Sequence, residues 1–286
     1  HLEVAKTNLY FLEKIFIMLK KIFILLEKNL YFVGKKSLLQ FGWVGLSVGV
    51  GKSLTLRGES LTLRCESATL RGESQGIYES LNCGIRSSDN KKNIEMNLQI
   101  AKKRLHNNNK ILITPDQHHS NKCLIATASN PHPQCDALVT SDNSLILGVT
   151  TADCLPIIFY DSTNMIVGIA HAGWRGLVKG VIQNTVKKMI ILGAKKKSIK
   201  SIIGPCIRVN SYEVSENFIK DLTIQYQKFA IRRMKRIYFD LPKLAKYILF
   251  ESGISNIHDT KKNTFSDKNY FSFRQSKIKK EKDYGR

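Results

Sequence analysis

The chain has 286 residues, of which 43% are hydrophobic and 9% aromatic, and this is sufficient for a globular, soluble protein with an apolar core. Lysine and arginine number 45 against 23 acidic residues, and the formal net charge of +22 favours anionic ligands. The sequence has no aromatic RNA-binding motif, helix-turn-helix signal or zinc-finger spacing, which excludes the common modules that recognise specific nucleic acids. We therefore interpret the charge as a basic surface.

The first 73 residues do not resemble a folded domain. Residues 9–33 are rich in apolar side chains, but charged residues interrupt every apolar run, whereas a membrane-spanning helix needs ~20 mostly apolar residues. We expect an amphipathic helix or an unstructured extension there, and no membrane span. A seven-residue repeat then begins at Ser53, Ser60 and Ser67, and its units are too short for a solenoid. The sequence thus predicts a poorly structured N-terminal extension over residues 1–73.

From about Gly76 the sequence is typical of a compact domain. Helical periodicity predicts helices over 93–105 and 177–193, and short apolar runs predict strands over 145–150, 155–160, 165–171 and 201–205. Because strands alternate with helices, we expect a single layered α/β domain with a mixed sheet over residues 74–286.

The cysteines are scattered along the chain, with no C-x-x-C pair and no secretory leader before them; they are Cys65, Cys83, Cys123, Cys135, Cys154 and Cys206. This usage is typical of a reducing compartment, where cysteine serves as a thiol, a metal ligand or a core residue. We therefore expect a cytoplasmic protein.

Three residues that bind metals well fall where a predicted strand ends or a loop begins, namely His119, Cys154 and His171. They are too far apart for a local zinc knuckle, so the fold would have to assemble the site. One thiolate and two imidazoles suit Zn²⁺ or another late divalent metal, and three protein ligands leave one coordination position open. His118 is adjacent to His119, and only one of the two can join a given site because neighbouring extended residues point in opposite directions.

Several motifs in this region together resemble the YfiH family, which is also described as the laccase-domain or polyphenol oxidase family and as purine nucleoside phosphorylases. The resemblance extends over about residues 74–286 and rests on "QGIYESLNCG" (75–84), "DQHHS" (116–120), "CDALVT" (135–140), "TADCLPI" (151–157), "HAGWRG" (171–176), "IGPCI" (203–207) and "NYFSFR" (269–274).

The resemblance implies a YfiH-type domain with a zinc bound by two histidines and one cysteine in a surface cavity. The family motif Gln-x-His-(Gly/Ser) matches His119 rather than His118, and the other ligands match Cys154 and His171. The resemblance also implies phosphorolysis of adenosine, inosine and methylthioadenosine to the free base and ribose 1-phosphate or its methylthio derivative, together with adenosine deamination. Its implied ligands are purine nucleosides and inorganic phosphate.

Three further residues of these motifs are candidates for the catalytic pocket. We expect Arg175 to bind phosphate, as guanidinium groups do, with a salt bridge that braces the turn as the alternative. Asn82 and Arg274 are expected to line the pocket, although Asn82 can equally cap a turn and Arg274 can belong to the basic surface.

Three neighbouring residues are expected not to act chemically. Trp174 is expected to be a core residue, and Cys206 a packed thiol near the site. Asp153 should point away from Cys154 if the strand is extended, which argues against Asp153 as a base.

Alternative functions stay open at this point. A copper-dependent polyphenol oxidase would fit the thiolate and imidazole ligands, but the chain lacks the His-x-His pairs that multicopper oxidation needs. Editing of peptidoglycan precursors is another family-level activity. A third alternative is an inactive, truncated member that acts as a basic binding protein, since the chain stops at Arg286 where the family continues into a final strand, which would expose a sheet edge.

Overall fold

The computed structural model describes residues 72–104 and 109–286. The expectations for the apolar segment and the repeat fall on residues outside this part of the chain. No helix within the described ranges combines the length and the apolar character that crossing a bilayer requires.

The described residues form eleven strands and seven α-helices. The strands are β1 (Ile111–Ile113), β2 (Cys123–Ile125), β3 (Ala137–Thr140), β4 (Leu145–Leu147), β5 (Leu155–Asp161), β6 (Ile166–Ala172), β7 (Lys200–Ile203), β8 (Glu213–Val214), β9 (Ala230–Arg233), β10 (Arg236–Phe239) and β11 (Asn256–Asp259). The helices are α1 (Lys91–Arg104), α2 (Trp174–Lys179), α3 (Val181–Ile191), α4 (Glu216–Lys220), α5 (Ile224–Gln227), α6 (Leu241–Glu251) and α7 (Phe273–Ile278).

A mixed six-stranded sheet forms the centre of the domain, with the strand order β11-β7-β5-β6-β3-β2. Strands β5, β6, β3 and β7 pair antiparallel in the middle, whereas β11 and β2 join the edges in parallel. A parallel pair, β1-β4, and an antiparallel group, β8-β10-β9, lie outside this sheet. The predicted mixed α/β fold is therefore confirmed.

Strands β5 and β6 are buried along their whole length because both faces of the central sheet are covered. On one face, Phe159 of β5 packs in a cluster with apolar residues of α3 and α6. On the other face, Ile158 packs in a second cluster that includes Ile113 of β1 and Leu145 of β4. Alternate residues of the same strand thus serve two apolar layers, which explains why the strand sequences are continuously hydrophobic.

The helix predicted over 177–193 is in fact two helices, α2 and α3, and the first begins earlier, at Trp174. Gly180 separates them with φ +97°, and its N–H bonds to the carbonyls of Gly176 and Leu177. A left-handed glycine is a common way to end a helix, but the apolar periodicity continues through it and hides the break. As a consequence, α2 begins only two residues after the end of β6, and Gly173 forms the whole connection.

Candidate metal centre

The structure brings together the three residues that the sequence selects as metal ligands. The potential ligand atoms of His119, Cys154 and His171 all lie within 4.8 Å of one another, and Cys154 Sγ lies 3.6 Å from His119 Nε2. Cys154 immediately precedes β5 and His171 is near the end of β6, and these ends coincide because the two strands are antiparallel neighbours. His119 reaches the same place from the loop between β1 and β2.

His118 lies outside this cluster, as the family motif implies. Its side chain is exposed, and its Nδ1 is 3.1 Å from the carbonyl oxygen of Asp116. The two histidines are separated by a local turn rather than by the alternation of a strand, since His119 has φ +60° in the left-handed region.

A buried carboxylate, Asp136, orients both histidines. Its Oδ1 accepts hydrogen bonds from the backbone N–H of His119 at 3.0 Å and from Nδ1 of His171 at 2.8 Å. Its Oδ2 accepts from the backbone N–H and the hydroxyl of Ser120 at 2.6 and 2.7 Å. Because Nδ1 of His171 is engaged in this way, Nε2 is the nitrogen left for a metal, and a carboxylate behind a histidine is the usual support of a metal ligand.

Asp136 is not among the residues predicted from the sequence to act in the site, although it lies within one of the motifs of the family. It is fully buried immediately before β3, a strand in which every residue is also buried. An acidic residue directly before such an apolar strand can be recognised in the sequence as a candidate for a buried carboxylate, and a buried carboxylate must be paired or hydrogen-bonded.

The charges within the cluster stabilise one another. Burial opposes ionisation of Cys154, but the neighbouring imidazoles of His171 and His119 outweigh it and lower the pKa of the thiol to about 6. Burial likewise opposes protonation of His171, but Cys154 and Asp136 raise its pKa to about 9. Burial raises the pKa of Asp136, yet hydrogen bonds from His171 and Ser120 hold it well below its usual range. The site therefore favours the thiolate, which is the form of cysteine that binds metals, whereas a protonated His171 has to release its Nε2 proton before it can bind one.

Gly173 provides the space that the cluster occupies. A Cβ added at this position would lie 2.8 Å from Cδ2 of His119 and 3.1 Å from Sγ of Cys154. Both distances are shorter than ordinary carbon contacts, so any other residue would displace the ligands. The glycine that follows β6 thus allows the chain to turn into α2 against the side chains of the site.

We expect Gly173→Ala to weaken the binding of added Zn²⁺, used here as the probe for a divalent metal, about tenfold, because overpacking of this kind costs ~1–3 kcal/mol. The measurement is a competitive titration of the purified protein with a chromogenic zinc chelator. Gly168→Ala is the matched control, since its added Cβ would lie 3.1 Å from Val139 Cγ1 in the central sheet. The control should lose stability but keep its zinc affinity, and wild-type affinity in Gly173→Ala would contradict this description of the site.

Two cavities open beside the cluster, and His119 and Cys154 line both of them. The larger has a volume of about 250 Å³ and is lined by aromatic and basic side chains that include Trp174, Arg175, Tyr212, Phe273, Arg274 and Tyr284. The smaller also contacts His171, and its wall includes Arg86, Gln117, Thr150 and Arg286.

Arg175 and Arg274 both line the larger cavity, as the sequence predicts for a pocket. Arg175 is exposed and stacks over the indole of Trp174 at 4.5 Å, and no carboxylate of the described residues lies within ion-pair distance of it. Arg274 is half-buried, and its Nη1 donates to the carbonyl oxygen of Glu213 at 2.7 Å. Two cationic side chains thus face one space, and the salt bridge that was the alternative for Arg175 is absent from this part of the chain.

Asn82, by contrast, lines neither of these two cavities. It is fully buried; its Nδ2 donates to Ser87 Oγ and Asp89 Oδ2, both at 2.9 Å. Its Oδ1 accepts from the backbone N–H groups of Gly84 and Arg286. Because all of its polar atoms bond within the protein, Asn82 stabilises the chain behind the pocket, which corrects the expectation that it lines the pocket.

Three further residues were expected to have no chemical role, namely Trp174, Cys206 and Asp153. Trp174 is half-buried and packs against the core, with its ring centroid 4.8 Å from that of Phe218. It also lines the larger cavity, so it is more than a core residue. Cys206 is a fully buried core thiol whose pKa burial raises to about 12, as expected. The extended strand on which the orientation of Asp153 was made conditional does not reach this residue, because β5 begins only at Leu155 and Asp153 has φ +83°.

Comparisons with known proteins agree with this fold. A family model described as multi-copper polyphenol oxidoreductase laccase matches residues 65–286. The chain is 35% identical over 161 residues to the purine nucleoside phosphorylase RP494 of Rickettsia prowazekii, a match that covers 53% of this chain and 65% of that protein. It is 29% identical to the purine nucleoside phosphorylase YlmD of Bacillus subtilis, over 64% of this chain and 71% of that protein.

Solved structures show the same fold. YlmD from Geobacillus stearothermophilus superposes with a TM-score of 0.67 at 25% identity, over 72% of this chain and 83% of that one. The Neisseria meningitidis protein NMB0706 superposes with a TM-score of 0.64 at 29% identity, over 71% and 84% of the two chains. The chain spans just under two thirds of the Rickettsia relative. Since the family model matches most of its length, the chain belongs to the family described as multi-copper polyphenol oxidoreductase laccase, and its resemblance to YfiH is confirmed.

Proposed function

We propose that the chain is a zinc-dependent purine nucleoside phosphorylase that cleaves adenosine, inosine and methylthioadenosine with phosphate, and that it also deaminates adenosine. The observation that carries the proposal is the His119, Cys154 and His171 cluster at the wall of a cavity that also presents two arginines and several aromatic rings. The names of the Rickettsia and Bacillus relatives support the phosphorylase assignment.

The residues of the cluster fit a zinc ion. Two imidazoles and a thiolate are typical zinc ligands, Asp136 supports one imidazole from behind, and Gly173 leaves room beside them. A zinc bound by three protein ligands supplies a Lewis acid with one position open to substrate or water.

Zinc is favoured over the copper of a polyphenol oxidase by the ligand count. His119, Cys154 and His171 are the one group of three or more potential ligands that the described ranges bring together, and the sequence has no His-x-His pair. A multicopper oxidase needs further copper-binding histidines beyond such a group.

The side chains of the larger cavity have distinct tasks in this reaction. The guanidinium groups of Arg175 and Arg274 bind phosphate through charge-assisted hydrogen bonds. The rings of Trp174 and Tyr212, which lie beside the two guanidinium groups, give the cavity an apolar wall against which a purine can pack. Holding phosphate and nucleoside in one space replaces a bimolecular encounter by an oriented attack of a phosphate oxygen on the anomeric carbon of the ribose, from which the purine leaves.

The experiment that tests this function is incubation of the purified protein with adenosine, with and without inorganic phosphate, followed by chromatography of the products. We expect adenine and ribose 1-phosphate only when phosphate is present. We expect inosine from deamination without phosphate, and inosine together with the hypoxanthine that its own phosphorolysis releases when phosphate is present. Neither adenine nor hypoxanthine in the presence of phosphate would contradict the phosphorylase assignment, and no inosine in the absence of phosphate would contradict the deaminase assignment alone.

The same assay tests the role of Arg175. Arg175→Gln should raise the KM for phosphate about tenfold with a smaller change in the rate of deamination, because a hydrogen bond to a charged group contributes ~1.5–3 kcal/mol. The control is Lys179→Gln, which removes an exposed cation from the other end of the same helix, α2. An equal effect of both substitutions would indicate only the loss of general positive charge.

A further inference from the structure

Asp153 connects the loop that carries Cys154 to the C-terminal segment of the domain. Its Oδ1 accepts a hydrogen bond from Thr264 Oγ1 at 2.6 Å, and its Oδ2 accepts from Ser272 Oγ at 2.9 Å and from the backbone N–H of Arg274 at 2.7 Å. The carboxylate is buried, as are the hydroxyl donors. One side chain, next in sequence to a candidate metal ligand, thus fixes the backbone from which Arg274 projects.

The backbone of Asp153 shows that the carboxylate matters at this position. Its φ of +83° lies in the region that favours glycine, and a residue with a Cβ adopts it only with strain. A glycine would fit the turn with less strain but would leave Thr264, Ser272 and Arg274 without their acceptor. The presence of aspartate therefore indicates that these three hydrogen bonds outweigh the strain.

Arg274 is held at both of its ends. Asp153 bonds its backbone, while the carbonyl oxygen of Glu213 accepts from its Nη1 and the ring of Tyr212 lies 5.4 Å from its guanidinium carbon. This leaves the other guanidinium nitrogens for a ligand in the cavity that Asp153, Cys154 and Arg274 line together. A cation fixed before the ligand arrives binds more tightly, because less side-chain freedom is lost.

We propose that Asp153 is a positioning residue that holds Arg274 at a set place relative to Cys154, so that Arg274 binds phosphate beside the metal centre. This inference rests on the proposed function for the identity of the anion. Asp153 itself does not touch the substrate, and its effect on phosphate passes through Arg274.

The test is the dissociation constant of inorganic phosphate, measured by calorimetry on the zinc-loaded protein without nucleoside. Asp153→Gly removes the carboxylate and also the backbone strain, whereas Asp153→Asn keeps a carbonyl oxygen and tolerates the left-handed conformation. We expect Asp153→Gly to bind phosphate about tenfold more weakly with its zinc content unchanged, and Asp153→Asn to stay within about threefold of the wild type.

A double-mutant cycle separates positioning from a general loss of structure. Arg274→Gln alone should weaken phosphate binding about tenfold, and adding Asp153→Gly should weaken it no further, because the two residues act as one unit. Additive effects would overturn the proposal, and so would wild-type phosphate affinity in Asp153→Gly. In turnover assays, Asp153→Gly should raise the KM for phosphate more than it lowers kcat. A fall in kcat that matches a fall in zinc content would overturn the proposal, because the substitution would then act on the metal site.

If Asp153→Gly does not fold, Thr264→Val and Ser272→Ala replace it in the same double-mutant cycle. Each of them removes one of the hydroxyl groups that donate a hydrogen bond to the Asp153 carboxylate. Each should weaken phosphate binding in the wild-type background and have no effect beside Arg274→Gln, and additive effects would again overturn the proposal. Absence of phosphate binding by the wild type would also overturn it. Phosphate binding without phosphorolysis would contradict the proposed function and leave the positioning role standing.

Discussion

We expect Cys154→Ala to fold and to lose both its zinc and its phosphorolysis. In the proposed zinc site the thiolate is one of three ligands, and its charge is matched to the adjacent imidazoles. Its removal would therefore take away a bond to the metal and the negative charge of the site. Zinc affinity should fall by more than the ~10–100-fold that is typical when a residue behind a metal ligand is lost. Zinc per chain and adenine production from adenosine and phosphate are the two measurements.

Cys206→Ala is the control for this substitution. Cys206 is a fully buried thiol in the core cluster and is not among the potential ligands. It should lose some stability through the cavity that it leaves, while zinc content and turnover stay near those of the wild type. Wild-type zinc content in Cys154→Ala would contradict the assignment of Cys154 as a ligand.

Asp136→Asn should give the second largest effect. The substitution keeps the size of the side chain but places an amide NH₂ among donors from His119, Ser120 and His171. Zinc affinity should fall about 10–100-fold, because His171 loses the carboxylate that fixes its ring. The free energy of unfolding should also fall by ~3–5 kcal/mol, as is typical when one partner of a buried pair is removed.

Asp161→Asn is the matched control for Asp136→Asn. Asp161 is also fully buried, and it accepts hydrogen bonds from Ser198 Oγ, Asn164 Nδ2 and the backbone N–H of Lys195. We expect it to destabilise the protein without changing zinc affinity, since it lies at the opposite end of β5 from Cys154. Chelator titration combined with urea unfolding separates the two effects, and unchanged zinc affinity in Asp136→Asn would refute its role behind His171.

Strand ends are recognisable from apolar runs, and the ligand residues at those ends indicate a metal cluster. The apolar pattern leaves His118 and His119 as alternatives, and the family motif is what selects His119. His119, Cys154 and His171 each follow or precede such a run, and the antiparallel pairing of β5 with β6 brings two of them together. The same periodicity could not show the break at Gly180, since a left-handed residue interrupts a helix without changing its apolar pattern.

Other residues of the site depend on contacts between segments that are distant in sequence. Asp136 supports His119 and His171 from the residue before β3, and Asp153 reaches Ser272 and Arg274 across more than a hundred residues. Asn82 lies in a family motif, yet its side chain turns inward to a hydrogen-bond network. Pattern and spacing select residue types, but only the fold decides whether a polar side chain faces the cavity or the interior.

The most direct test of the proposed zinc site is the metal content of the wild-type protein, purified without added metal and measured by elemental analysis. We expect about one zinc per chain and little copper, because three protein ligands of this kind would form one site. Copper in place of zinc would contradict the proposed metal and favour the oxidase alternative. A folded protein that contains no metal and does not take up zinc would contradict the metal centre itself.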